Sequence, residues 1–108
     1  MYESEQVEAM KAMLAKVERI VTGNRHEAYG APAENHHCTA QMWAAYLSRK
    51  VGHDVIITAR DVCFLNILQK CSREAHWSQD DNALDVGGYA ANAHACSVVA
   101  GLLTEDSI

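Results

Sequence analysis

Thr58-Ala59-Arg60-Asp61-Val62-Cys63-Phe64-Leu65-Asn66-Ile67-Leu68-Gln69-Lys70-Cys71-Ser72-Arg73 carries the clearest structural instruction in the chain. Its first four residues have the pattern of a capping box, in which a hydroxyl and a carboxylate three residues apart satisfy the free N–H groups that open a helix. Val62, Cys63, Phe64, Leu65, Ile67, Leu68 and Cys71 then cover most of the circumference of the helix that follows. A helix apolar nearly all round is predicted to be the buried one. Its neighbours in sequence must supply the elements that cover it.

On the C-terminal side, Ser78-Gln79-Asp80-Asp81 reads as a second cap, opening a helix predicted over 79–103. Gly87 and Gly88 lie inside it and weaken it by about 1 kcal/mol each relative to Ala. Two glycines in a helix interior imply that another helix or a ligand comes close to the backbone. On the N-terminal side, Pro32 suits the first position of a helix, where a missing N–H costs nothing. Cys38, Met42, Trp43, Tyr46 and Leu47 carry its apolar stripe to residue 50, and 52–57 link it to Thr58. Farther out, Val7, Met10, Met13, Leu14, Val17, Ile20 and Val21 recur at helical spacing over 5–22, with Gly23 as the stop. Residues 24–31 read as an ordered loop with Tyr29-Gly30 at a turn. The expectation is an all-α fold, a four-helix bundle forming one domain over 1–108.

Composition narrows the function. A chain of 108 residues with 49% apolar and 21% charged residues suits a soluble domain. One this small gains from pairing with another copy. The net charge is −5 and no Lys/Arg cluster offsets it, which argues against a nucleic acid polymer as partner. No apolar run approaches the ~20 residues that span a bilayer, so no membrane role is expected. The polar, acidic residues 1–6 are unlike a signal peptide, and a cytoplasmic location is expected. The four cysteines lie in apolar helical stretches without CxxC spacing, and read as buried thiols. A zinc site from His36, His37, Cys38, His94 and Cys96 is the alternative, without a recognisable ligand spacing.

Polar stripes occupy helix faces where a bundle wants apolar ones. Asp81, Asp85 and Asn92, with Gly88 between and Tyr89 beside, share one face of the fourth helix. Glu34, His37 and Gln41 do so on the second, and Asn66, Lys70 and Arg73 on the third. Convergence of two acidic stripes and a basic one would make a cleft for phosphate. Glu34, Asp81 and Asp85 offer hard oxygen ligands for Mg²⁺ or Mn²⁺, with His37 a weaker candidate. Lys70 and Arg73 would hold phosphates. Each has a plainer reading: Glu34 favoured by the helix dipole, Asp81 completing a cap, Lys70 and Arg73 on a solvated edge, Trp43 and Tyr89 as core aromatics.

The stretches Arg25-His26-Glu27-Ala28-Tyr29-Gly30-Ala31-Pro32-Ala33-Glu34-Asn35, Trp43-Ala44-Ala45-Tyr46-Leu47, Lys70-Cys71-Ser72-Arg73-Glu74 and Asp81-Asn82-Ala83-Leu84-Asp85-Val86-Gly87-Gly88-Tyr89-Ala90 occur in one order. Together they resemble a phage-associated group of MazG-like nucleotide pyrophosphohydrolases, over roughly 22–96. The resemblance implies the all-α nucleoside triphosphate pyrophosphatase fold and dependence on Mg²⁺. It also implies attack of water at the α-phosphate, giving monophosphate and pyrophosphate, in a homodimer or homotetramer with sites near helix interfaces. The leading expectation takes Glu34 and Asp85 as the catalytic candidates, with Asn35, Asn82, Tyr89, Asn92 and Trp43 as candidates for contacting substrate. Some phage members of the wider fold act on purine deoxynucleotides, which tilts the expected substrate slightly toward dGTP or dATP. The ExxE of the broader pattern is here Glu34-Asn35-His36-His37, and its ExxD is Asn82-Ala83-Leu84-Asp85, so two of four acids are replaced. A non-catalytic, nucleotide-sensing helical protein is the competing expectation.

Overall fold

A computed structural model describes residues 2–23 and 31–107, with side chains described as far as residue 100. The turn expected at Tyr29-Gly30, and the start of the motif beginning at Arg25, lie outside the described residues. Four helices account for nearly all the rest: α1 (Tyr2–Thr22), α2 (Pro32–Val51), α3 (Ala59–His76) and α4 (Asp80–Ser107). Among the described residues there is no strand.

The local chemistry explains where each helix begins and ends. Pro32 stands in the first turn of α2 behind an extended Ala31. Gly52 closes α2 in the left-handed conformation at φ 81°, donating its N–H to the Ser48 carbonyl. Val55 N–H then donates to Ser48 Oγ at 2.8 Å, folding the linker back onto α2. The capping box before α3 forms as expected. Asp61 N–H donates to Thr58 Oγ1 at 3.0 Å, and Thr58 N–H to Asp61 Oδ2 at 2.9 Å. At Gly23, a Cβ would sit 2.7 Å from the Arg19 carbonyl oxygen, so only glycine lets the chain leave α1 this way.

The α3–α4 interface is the most extensive, and α2 packs across both of these helices. Cys63, Ala93 and Cys96 form the centre of this three-helix body, with Ala33 and Ala59 packed around them. Small side chains there let the backbones come close. Arg60 adds a polar tie, donating to Ser97 Oγ at 2.8 Å while its guanidinium lies over the Phe64 ring. α1 leans on α4 alone among the described helices. The close approach implied by the paired glycines is this contact: a Cβ on Gly87 would lie 3.1 Å from Val17 Cγ2.

Two expectations need correction. α3 is not buried all round: Val62 and Cys63 are, but Phe64, Leu65 and Leu68 are exposed, because among the described residues no helix covers that side. Nor are all four thiols buried. Cys63 and Cys96 are, whereas Cys38 and Cys71 face outward. The packing is also more open than a closed bundle. The radius of gyration is 16.5 Å, where compact packing of this length gives about 13 Å.

Candidate functional site

α3 and α4 meet at a tight corner, and one carboxylate organises it. Glu74 Oε1 accepts from Gln79 N–H at 3.1 Å and from Asn82 Nδ2 at 3.0 Å. A hydrogen bond from Ser78, then those from Asn82 and Gln79, hold the Glu74 carboxyl below the usual carboxylate range. Asn82 is buried, and its amide is committed to this bond, so its first task is to lock α4 against α3. The sequence pattern offered Asn82 as a substrate contact and did not reveal Glu74 as its partner.

Beside the corner lies a cleft of about 550 Å³, a volume usual for small-molecule sites. Lys70 and Arg73 line it from α3, and Asp81, Asn82 and Asp85 from α4. Five of the residues singled out in sequence are thus brought together. Lys70 Nζ lies 2.9 Å from Asp85 Oδ2, an ion pair in which the lysine is largely enclosed and the aspartate is not. A smaller space of about 160 Å³ on the other side of this pair is lined by Lys70, Asp85, Tyr89 and Asn92, with Val17, Ile20 and Val21 of α1. Lys70 and Asp85 therefore form a wall common to both. His76, Trp77, Ser72 and Gln79 also line the larger cleft and were not foreseen.

The residues of α2 stand elsewhere. Glu34, Asn35 and His37 are exposed, and Trp43 is half-buried; none of them lines either space. Glu34 is close enough to Cys96 for its charge to act on that thiol. Cys96 lies eleven residues past Asp85, about 16 Å along α4. Asp85 lines both spaces and Glu34 lines neither. His36, which did not figure among the catalytic candidates, is buried with its ring 6.4 Å from that of Tyr89, and burial lowers its pKa. Cys63, enclosed beside Cys96, has its thiol pushed up to about 12 by burial and by that neighbour.

Among the described residues, no group of three or more His, Cys, Asp or Glu side chains is disposed to hold a metal ion. The five residues of the zinc alternative are not assembled. Asp81 and Asp85, one helical turn apart on the cleft, remain a pair of hard oxygen donors. Mg²⁺ commonly takes one or two carboxylates and completes its shell with water and substrate phosphates.

Residues 12–97 match the family described as Domain of unknown function (DUF6378). The chain belongs to that family. This DUF6378 protein is also similar to the Gene 55 protein of Mycobacterium phage L5, at 38% identity over 81 residues, covering 73% of the chain. The chain spans about half of that relative, 48% of its length. No solved structure matches. No helix among the described residues is long and apolar enough to cross a membrane.

Proposed function

We propose that this chain is a nucleoside triphosphate pyrophosphohydrolase whose substrate sits in the α3–α4 cleft. The observation that carries the reading is one cleft of suitable size with Lys70 and Arg73 on one wall and Asp81 and Asp85 on the other. Its resemblance to MazG-like enzymes supports the same reaction. Arg73, with its planar fork, takes phosphate oxygens, and Lys70 serves as a point charge. A phosphate that draws Lys70 away from Asp85 frees the Asp85 carboxylate at the moment substrate enters. Asp85 then accepts the proton of the attacking water, and Asp81 shares the work of positioning. Asp81 and Asp85 would hold Mg²⁺ or Mn²⁺ carried by the nucleotide, which neutralises phosphate charge and polarises the P–O bond. Glu34 does not line the cleft of its own chain, and in the proposed homodimer or homotetramer a second copy would bring it there. Kinship with a phage L5 protein suits action in a host cytoplasm.

A second reading is binding without turnover. The Lys70–Asp85 ion pair, with no group of three such donors among the described residues, favours that reading. Incubating the protein with each of the eight common NTPs and dNTPs plus Mg²⁺ separates the two. The hydrolase releases pyrophosphate, most readily from dGTP or dATP, and Asp85→Asn lowers the rate by about 10²–10⁴-fold. Nucleotide binding with no pyrophosphate from any of the eight leaves the sensor.

A further inference from the structure

We infer that Trp77 is the platform on which the nucleotide base stacks, an assignment that rests on the phosphate-binding reading of the cleft. Lys70 and Arg73, three residues apart, share one face of α3, and Trp77 follows where that helix ends. Six residues of helix, about 9 Å, separate Lys70 from the end of α3. All three line the same cleft. Cations at one end and an aromatic face at the other are ordered as the phosphates and base of a nucleotide are ordered.

Among the described residues the indole makes no hydrogen bond or ring contact. Trp77 is the residue at which α3 ends, in an extended conformation, and its contribution there is a backbone N–H donated to the Arg73 carbonyl at 2.8 Å. Any residue but proline supplies that bond. The side chain is 67% exposed, and no aromatic or cationic partner for its ring occurs among the described residues. A large apolar ring left in water beside a charged cleft gains by being covered. Trp43, the other tryptophan, is half-buried on α2 and away from the cleft. Stacking reads the π-face and not the hydrogen-bonding edge, so the platform accepts any base. Purines, with the larger face, gain most.

The test is calorimetric binding of two probes in the presence of Mg²⁺: the non-hydrolysable α,β-imido analogue of dATP, and inorganic tripolyphosphate, which has no base. Trp77→Ala is expected to weaken the nucleotide analogue by roughly 5- to 100-fold while leaving tripolyphosphate unchanged. Trp77→Phe should restore most of the loss. Equal weakening of both probes, or no change in either, overturns the assignment. Base-dependent binding in a protein that hydrolyses no dATP keeps the platform and sinks the hydrolase. Conversely, dATP hydrolysis with the same kcat and KM in Trp77→Ala keeps the hydrolase and sinks the platform. A wild-type protein that binds neither probe sinks both.

Discussion

Glu74 shows how much one side chain can organise. Its carboxylate joins the end of α3 to the start of α4 through Ser78, Gln79 and Asn82, and these bonds favour the charged form. A carboxyl whose pKa is lowered on folding contributes stability above its unfolded pKa, and loses that contribution as pH falls through the folded one. Glu74→Gln should therefore shift the urea midpoint downward at neutral pH. The gap to wild type should close in acid below the ordinary glutamate range. A gap that stays constant with pH would mean that the charge at this corner does not matter. Of the candidate site, Lys70, Arg73, Asp81 and Asp85 were legible because charged residues on an apolar helix stand out. Trp77 was not, since an aromatic residue at a helix end reads equally well as packing. Glu74 was not, because its partners belong to a corner whose geometry no periodicity encodes.

At the scale of elements, boundaries were read well where backbone chemistry dictates them: Pro32, the Thr58–Asp61 box and Gly23 act within a few residues of themselves. Gly87 and Gly88 mark the limit, since the pattern showed a close approach without saying by what. The two positions differ now that α1 is in place. A Cβ on Gly88 meets Val21 Cγ1 at an ordinary 3.7 Å, so Gly88→Ala should stabilise by about 1 kcal/mol through helix propensity. On Gly87 it meets Val17 Cγ2 at 3.1 Å and Met13 Cε at 3.6 Å. Val17 is buried and stiff at χ1, so α1 must shift. Gly87→Ala should fall roughly 1–3 kcal/mol below Gly88→Ala in urea titrations. Equal effects would show that α1 does not bear on this point.

The whole molecule exposes 8299 Å², against roughly 6,000 Å² for a compact monomer of 11.9 kDa. The excess is well above the ~800 Å² that each side of a standard interface covers. Sequence periodicity pointed to α3 as the buried helix; what it does not encode is whether the cover comes from the same chain. Under the proposed assembly, the face carrying Phe64, Leu65 and Leu68 is covered by another copy. Sedimentation should then give a dimer or tetramer for wild type and a lighter species for Leu68→Lys. A wild-type monomer at tens of micromolar, as for interfaces weaker than ~6 kcal/mol, would remove the assembly. The attachment of α1 has a different outcome. It leans on one neighbour and contributes nothing to the larger cleft, which is lined by residues between Lys70 and Asp85. The larger cleft is thus framed without this limb, whereas the smaller space behind the Lys70–Asp85 pair closes only where the limb lies down.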